Sequence, residues 1–263
     1  MKNTIIGDVL DAELVDNLVK RVDVIFHLAA QINVDYGNLN PQETTEINTI
    51  GTLNVLEACR KYKRTLVYAS SSEIYGSSQE QFMDESHPTD AQSVYAASKL
   101  AGDRLCKAYF ETYGTDVRIL RNFNTFGEYQ RNDSYGGVIA IFTDLALKGK
   151  SPIIFGNGEQ ERDYMWIDDA IWAYDIIWKK GKAGDVMNAG TGKTVKIKDL
   201  AMMIHKYTGC PAPEFTAARP GEVRRLCAGI NKARSLGFEP KTDFEKNLIQ
   251  YVNWRKHEST PSN

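Results

Sequence analysis

Residues 22–30, Val-Asp-Val-Ile-Phe-His-Leu-Ala-Ala, form an almost unbroken apolar run. Such a run is typical of a parallel strand whose two faces are both covered by helices. The flanking sequence alternates in the same way, with helical patterns over 11–20 and 44–62 and a second apolar strand at 65–70. Strands that alternate with helices pair in parallel through right-handed crossovers. The sequence therefore predicts an α/β fold with a doubly wound parallel sheet.

The same patterns extend over most of the chain. Further strands are predicted at 4–6, 117–121 and 185–189, and further helices at 94–113 and 168–179. After residue 126, glycine and proline become denser and the regular alternation of strands and helices is lost.

This change in pattern predicts two domains. The parallel-sheet domain comprises residues 1–126 plus 164–189. A smaller mixed α+β domain that caps it comprises residues 127–163 plus 190–260.

Composition excludes several classes of protein. With 263 residues, 42% hydrophobic and 25% charged, the chain is neither disordered nor collagenous. Its 32 Lys+Arg balance 34 Asp+Glu, so it lacks the basic excess of a non-specific nucleic-acid or anionic-membrane binder. The four cysteines have no CxxC or zinc-type spacing, so no metal site is predicted. No apolar run reaches the ~18 residues of a membrane span, and no secretory signal begins the chain, so we expect a cytoplasmic protein.

The first chemical motif is Tyr95-Ala-Ala-Ser-Lys99, within a predicted helix. Residues at i and i+4 share one helix face, so the phenol and the ammonium can lie side by side. A nearby cation lowers the pKa of a tyrosine and makes it a usable general base. An isolated motif of this kind is usually a solvated helix face, so it needs support from a second feature.

That second feature is the stretch from Ser70 to Gly76, Ser-Ser-Ser-Glu-Ile-Tyr-Gly, which follows a predicted strand. Ligands of doubly wound sheets bind outside the carboxyl ends of the strands. Serines at this position, followed by the helix of Tyr95, are suited to binding and deprotonating a hydroxyl group. The alternative is that the serines only cap a turn.

Together these motifs resemble the extended short-chain dehydrogenase/reductases, specifically the NAD-dependent nucleotide-sugar epimerase/dehydratase family. The resemblance covers essentially the whole chain and implies a Rossmann-like NAD-binding domain with a smaller nucleotide-sugar-binding domain. Its further landmarks are Gly7-Asp8, His27–Gln31, Asn48 with Gly51-Thr52, Arg121–Gly127, Arg162–Tyr164, Gly190–Gly192 and Arg219–Glu222.

The resemblance also implies roles for individual residues. Ser71 would hydrogen-bond to the O4 hydroxyl of the sugar while Tyr95 removes its proton, and a hydride would pass from C4 to NAD. The implied NAD contacts come from Asp8, Val9, Leu28, Ala29, Ala30, Gln31, Asn48, Ser70, Tyr95, Lys99 and Phe123. The implied contacts to the nucleotide-diphosphate sugar come from Asn124, Phe155, Arg162, Arg219 and Glu222.

The step after the 4-keto sugar remains open. Glu73 occupies a position where the resembled 4,6-dehydratases carry an acidic residue that takes the proton at C5, which favours a dehydratase slightly. Simple 4-epimerases usually lack that acid, so a UDP-glucose 4-epimerase-like activity is the alternative. Glu73 as a purely structural residue of the strand-end turn is a third possibility.

One landmark of the family is missing from this sequence. The phosphate-cradling G-x-x-G-x-x-G loop is absent, and in the family Gly7-Asp8 ends the third strand. We therefore expect an N-terminally truncated sheet, whose strand at 22–30 has a bare edge, and a non-catalytic remnant with impaired NAD binding is a further alternative. The resemblance also suggests a homodimer that packs through the helices 44–62 and 95–113.

Overall fold

The computed structural model describes residues 4–131, 136–218 and 223–258. The helices in these ranges are α1 Ala12–Val19, α2 Val34–Leu39, α3 Pro41–Thr45, α4 Gly51–Tyr62, α5 Val94–Tyr113, α6 Val138–Leu147, α7 Ile167–Lys180, α8 Ile197–Thr208, α9 Asn231–Ser235 and α10 Phe244–Glu258. The strands are β1 Val24–His27, β2 Thr65–Ser71, β3 Val117–Asn122, β4 Asn124–Phe126, β5 Ile153–Phe155, β6 Glu161–Trp166, β7 Val186–Ala189, β8 Thr194–Lys196, β9 Glu214–Thr216 and β10 Arg225–Leu226. A π-helix, Glu46–Ile50, precedes α4, and a 3₁₀ helix, Ser72–Tyr75, follows β2.

The described chain divides into two compact units. The first comprises residues 1–74, 91–121 and 174–187, and the second comprises 75–90, 122–173 and 188–263. These boundaries differ from the predicted division, because residues 75–90, 122–126, 164–173 and 188–189 belong to the second unit.

The first unit is built on a parallel sheet with the strand order β1-β2-β3-β7. Helices lie between successive strands of this sheet along the chain, so the strands pair in parallel, as the alternation predicted. Asp11 caps α1 by accepting a hydrogen bond from the backbone N–H of Leu14 at 2.9 Å. This cap directs Val15 and Val19 into a core that also contains Leu56 and Leu66.

Helix α5 lies close against β2 in this unit. The hydroxyl of Ser93 accepts from the N–H of Ala96 at 3.1 Å at the start of the helix, and Gly114 ends it with a φ of +65°. A Cβ atom on Gly102 would lie 2.3 Å from the hydroxyl of Tyr68 on β2, so only glycine permits this approach. The close packing carries the first half of α5 past the carboxyl end of β2.

The second unit contains a sheet with the order β10-β6-β4, to which β8 adds antiparallel beside β6, and a separate pair, β5-β9. Its core gathers Phe126, Tyr164 and Trp166 from the sheet, together with Leu200 and Tyr251 from the helices. No helix in the described ranges combines the length and the apolar character needed to cross a bilayer.

Three predicted elements differ from the structure. The strand predicted at 4–6 is wrong, because these residues join no sheet in the described ranges and Ile6 is 96% exposed. A strand forms only where its backbone groups find a neighbouring strand, and the described pairing of β1 is with β2. The apolar run at 22–30 forms a strand over Val24–His27 only, and the helix predicted over 44–62 consists of the end of α3, the π-helix and α4.

Candidate active site

The centre of the candidate site is the pair of Ser71 and Tyr95, in which the serine hydroxyl lies near enough to the phenol to lower its pKa. Ser71 is the last residue of β2, and Tyr95 lies in the first turn of α5. The hydroxyl oxygen of Ser71 also accepts from the backbone N–H of Glu73 at 3.2 Å. The turn after β2 thus fixes the serine while it brings the carboxylate of Glu73 into electrostatic range of the phenol. The first unit therefore brings together three of the four predicted catalytic residues.

The phenol of Tyr95 is neutral at physiological pH in this structure. Burial raises its pKa to about 12, the hydrogen bond from Ser71 acts in the opposite direction, and the charge of Glu73 raises it further. The sequence predicted a lowered pKa from the neighbouring ammonium of Lys99. The structure differs because burial of the phenol outweighs the favourable contacts.

Lys99 lies one turn after Tyr95 and is only 2% exposed. Its Nζ lies 4.4 Å from the centroid of the Tyr68 ring, which is a cation–π contact. Burial lowers the pKa of Lys99 to about 8, against the opposing influence of Cys106 and Asp103. The ammonium is therefore held in a pocket of α5 and β2, where its charge is sensitive to its neighbours.

Asn48 connects α5 to the segment that follows β1. Its Oδ1 accepts from the backbone N–H of Gln31 at 2.8 Å, and its Nδ2 donates to the carbonyl of Gln31 and to the hydroxyl of Ser98, both at 2.9 Å. Asn48 lies in the π-helix, a distortion that is frequent at functional sites. These contacts fix the backbone of residue 31 in place.

The side-chain amide of Gln31 is a candidate ligand contact. Gln31 is 7% exposed, yet neither Nε2 nor Oε1 of its amide has a hydrogen-bond partner among the described residues. A buried amide without partners costs free energy, so it is rare unless a ligand or water completes it. Gln31 follows the carboxyl end of β1, where the cofactor was predicted.

The remaining predicted cofactor residues of the first unit lie around this segment. Leu28 and Ala29 are exposed directly after β1, and Ala30 is half-buried. Asp8 accepts from the backbone N–H of Leu10 at 2.9 Å and is itself exposed. The carbonyl of Val9 accepts from the side chain of Asn54 at 3.1 Å. Leu28 and Ala29 thus present side chains that the fold leaves uncovered.

Four predicted site residues lie in the second unit. Phe123 is 2% exposed, and its ring centroid lies 6.4 Å from that of Tyr75. Asn124 on β4 and Arg162 on β6 are half-buried, and the register Asn124↔Tyr164 puts both side chains on one face of the sheet. Phe155 ends β5 and is half-buried. Arg219 and Glu222 lie outside the described residues.

Sequence reasoning missed a buried ion pair beside Lys99. Arg121 donates to Asp103 through Nε and Nη2, both at 2.9 Å, and Ser70 donates to the same carboxylate at 2.8 Å. The three residues are 1–4% exposed. The spacing offered a signal, because Asp103 follows Lys99 by four residues and so shares its helix face.

Comparison with known proteins shows the family to which the chain belongs. A family model described as GDP-mannose 4,6 dehydratase matches residues 2–250. A protein of Methanocaldococcus jannaschii, provisionally named a UDP-glucose 4-epimerase, is 38% identical over 257 residues, which cover 95% of this chain and 83% of that protein.

Two solved structures share the fold at 30% sequence identity. The UDP-glucose 4-epimerase of Thermotoga maritima, solved with UDP-glucose, has a TM-score of 0.92 and matches 97% of this chain and 84% of its own. The dTDP-glucose 4,6-dehydratase of Streptomyces venezuelae, solved with NAD and TDP, has a TM-score of 0.91 and matches 95% of this chain and 78% of its own. The sequence prediction of family and fold is thereby confirmed: the chain belongs to the GDP-mannose 4,6 dehydratase family, within the superfamily of NAD-dependent epimerases and dehydratases.

Proposed function

We propose that the protein is an NAD-dependent enzyme that modifies nucleotide-diphosphate sugars through a 4-keto intermediate. The observation that carries this proposal is the proximity of the Ser71 hydroxyl, at the end of β2, to the phenol of Tyr95, one helical turn before the buried Lys99. A hydroxyl and a phenol in contact form a site for a third hydroxyl, such as the O4 group of a sugar. The named activities of the relatives, 4-epimerase and 4,6-dehydratase, support the same chemistry.

The residues after β1 fit the proposed cofactor. The unpartnered amide of Gln31 offers a donor and an acceptor, and Leu28 and Ala29 offer apolar surface. We infer that these residues, with Asp8, Val9, Ala30, Asn48, Ser70 and Phe123, hold NAD. Asn48 contributes through the backbone of Gln31, which its amide binds. The chemistry that NAD supplies when bound is the reversible acceptance of a hydride from the sugar.

The protein's own part of the reaction is to bind O4 and to move its proton. Ser71 orients the hydroxyl, and the oxygen of Tyr95 accepts the proton when C4 is oxidised and returns it when C4 is reduced. With a pKa near 12, Tyr95 holds its own proton at neutral pH in the free protein, so that proton must pass to solvent before the phenolate can accept the proton of O4. The ammonium of Lys99 on the same helix face then stabilises negative charge that develops on the phenol oxygen.

Glu73 favours a 4,6-dehydratase over a 4-epimerase. Its carboxylate lies within electrostatic range of Tyr95, in the turn that Ser71 begins. A base at this position is suited to removing the proton at C5 of a 4-keto sugar, after which water leaves from C6. The alternative, a 4-epimerase, is supported by the 38% identical relative.

Product mass distinguishes the two activities. The protein is incubated with NAD and with UDP-glucose or dTDP-glucose, and the nucleotide sugars are analysed by mass spectrometry. A dehydratase lowers the mass of the sugar by one water, whereas an epimerase changes its configuration at C4 without changing its mass. In the dehydratase, Glu73→Gln abolishes the loss of water, while Glu80→Gln, an exposed control, leaves it intact. If neither product forms from any nucleotide sugar that is tested, the proposal is overturned.

The nucleotide diphosphate is assigned to the second unit. Arg162 and Asn124 lie on one face of the sheet, where a guanidinium and an amide can donate to phosphate oxygens. We infer that Phe155, Arg219 and Glu222 complete this subsite. Arg162→Lys tests it, because a lysine keeps the charge but loses the planar pair of donors, so KM for the nucleotide sugar rises while NAD binding is unchanged.

A homodimer is the proposed assembly. Helices α4 and α5 pack against each other in the first unit, and the outer face of α5 exposes the small residues Ala97 and Ala108. Small side chains let two helices of a second copy approach closely. In sedimentation analysis, Ala108→Arg is expected to convert the dimer to a monomer, whereas Ala183→Arg, at another exposed alanine, leaves the dimer intact.

A cytoplasmic location is also proposed. All four cysteines are free and buried. Burial raises the pKa of Cys59 to about 12 and that of Cys227 to about 11, so these groups remain thiols at neutral pH. Free thiols are the usual state in reducing compartments. Cell fractionation that finds the protein outside the cytoplasm would contradict this assignment.

A further inference from the structure

The buried acid beside Lys99 has no part in the chemistry proposed so far. Helix α5 carries Tyr95, Lys99 and Asp103 at intervals of four residues, so the three side chains follow one another along one face. Asp103 is 1% exposed and lies two turns away from Tyr95 along the helix. Both of its carboxylate oxygens are bound by Arg121, and its neighbours Lys99 and Ser70 are predicted to contact NAD.

Asp103 is held firmly by groups from two neighbouring strands. Arg121 on β3 donates to both carboxylate oxygens, and Ser70 on β2 donates to Oδ2. Bidentate pairs between a guanidinium and a carboxylate have a fixed geometry and are among the strongest hydrogen bonds in proteins. The direction of the Ser70 hydroxyl is therefore set by Asp103, because its proton is donated to the carboxylate.

Lys99 is surrounded by groups from three elements. His27 faces it from β1, Tyr68 faces it from β2, and Asp103 and Cys106 face it from α5 itself. Burial raises the pKa of the Cys106 thiol, and burial together with the charge of Lys99 lowers the pKa of His27 to about 4. At neutral pH the thiol and the imidazole are both uncharged, so Asp103 supplies the negative charge in these surroundings.

We propose that Asp103, fixed by Arg121, is a positioning residue that keeps Lys99 charged and Ser70 oriented for the reaction. The inference rests on the proposed function, in which Lys99 and Ser70 belong to the site. Asp103 acts through these two residues and touches neither substrate nor cofactor. A simple structural role predicts lost stability when the pair is removed, whereas the positioning role predicts a changed titration of Lys99.

The first variant removes both charges of the Asp103–Arg121 pair, so that neither charge is left buried without its partner. Asp103→Leu combined with Arg121→Met replaces both charges by apolar side chains, which buried ion pairs often tolerate. The titration of Lys99 is followed by NMR of ¹³C-labelled lysine, with the signal assigned through Lys99→Arg. Because the pKa of Lys99 is about 8 in the intact protein, the midpoint is expected near that pH. The midpoint is expected to fall by at least about one pH unit in Asp103→Asn, where only the opposite charge is removed, and by less in the double variant, where the like charge of Arg121 is lost as well.

Three further variants separate positioning from folding. Asp103→Asn tests the charge alone, and Asp103→Glu, which restores the charge, is expected to return the midpoint toward the wild-type value. Asp116→Asn is the matched control, because Asp116 pairs with Arg118 at 3.0 Å in the same unit but does not act on Lys99. A Lys99 midpoint that stays unchanged in folded Asp103→Asn would overturn the proposal.

The catalytic consequence is measured as the pH dependence of kcat/KM for the nucleotide sugar. The alkaline limb is expected to move to lower pH together with the Lys99 midpoint, while KM stays within about twofold because the substrate contacts are intact. An alkaline limb that does not move would overturn the catalytic part of the inference. Wild-type protein without any turnover would overturn the proposed function instead, and the lysine titration would still decide whether Asp103 controls Lys99.

Discussion

The two halves of helix α5 have opposite surroundings. In the first half, Ser98 and Asp103 are buried and hydrogen-bonded or ion-paired within the first unit, and the buried Lys99 contacts the ring of Tyr68. In the second half, Lys107 and Glu111 form an ion pair at 3.7 Å whose side chains are 49% and 60% exposed. One helix thus carries the same kinds of side chain in a dry environment and in water.

The difference in burial determines what each charge does. A buried charge has lost its hydration, so its neighbours control its pKa and removal of one partner is costly. An exposed pair keeps most of its hydration and contributes little to stability. We therefore expect chemistry from the charges in the first half of α5 and only small effects on stability from those in the second half.

The largest expected effect is on catalysis by the first half. Tyr95→Phe removes the phenol oxygen that carries the O4 proton, so turnover of the nucleotide sugar is expected to fall by about 10³-fold, the scale of general acid–base catalysis. The fold remains, because the ring keeps its packing, and the affinity for NAD changes only by the loss of one hydroxyl contact. Steady-state kinetics and a calorimetric NAD titration measure the two quantities. Unchanged turnover would contradict the assigned role of Tyr95.

The next effect is on stability. Asp103→Asn leaves the guanidinium of Arg121 buried with an uncharged partner, so the free energy of unfolding is expected to fall by about 3–5 kcal/mol. Urea denaturation measures it. A loss below about 1 kcal/mol, as for an exposed pair, would remove the distinction between the two halves.

A third effect is a pH dependence from the buried His27. Its Nε2 lies 3.0 Å from the hydroxyl oxygen of Thr52, which itself donates to the carbonyl of Asn48, so the ring donates to Thr52. Since the pKa is lowered to about 4, the unfolded chain binds the proton first as the pH falls from 6.5 toward 4. Between pH 6.5 and pH 4, this titration of His27 is expected to lower the free energy of unfolding by about 3 kcal/mol.

His27→Gln isolates this contribution, because glutamine keeps a donor for Thr52 but does not titrate. Urea denaturation at pH 7 and at pH 4 is compared for the two proteins. On acidification, the free energy of unfolding of the variant is expected to fall by about 3 kcal/mol less than that of the wild type. Parallel loss in both proteins would show that His27 is not the group responsible.

The smallest effect is expected in the exposed half of α5. Glu111→Gln breaks the ion pair with Lys107 in water, so the free energy of unfolding is expected to change by less than about 0.5 kcal/mol. Together with Asp103→Asn it forms a matched pair of acid-to-amide changes on one helix. A loss of several kcal/mol at Glu111 would mean that this face is covered.

Local patterns in the sequence predicted most of the helices and strands, including the ends of α5. The strand at 4–6 failed because strand formation depends on a partner strand, which is not encoded in the three residues themselves. The pairing of Tyr95 with Lys99 could be predicted because its four-residue spacing is local, whereas the roles of Ser71 and Glu73 were implied by the family resemblance and remain predictions.

The partnership of Asp103 with Arg121 joins residues 18 positions apart, and a single sequence does not reveal such tertiary contacts. The pKa of Tyr95 was missed for a related reason. Its direction depends on how deeply the fold buries the phenol, and burial outweighs the nearby charges in this structure.

The most direct test is a calorimetric titration of NAD into the protein and into Gln31→Leu. The account predicts saturable binding by the wild type and a roughly tenfold weaker affinity for the variant, because a buried donor and acceptor would be lost. Gln130→Leu, a change of the same size in the second unit, is expected to bind NAD as the wild type does. Equal affinity of Gln31→Leu and the wild type would contradict the assigned cofactor site, and absence of binding by the folded wild type would contradict NAD-dependent chemistry.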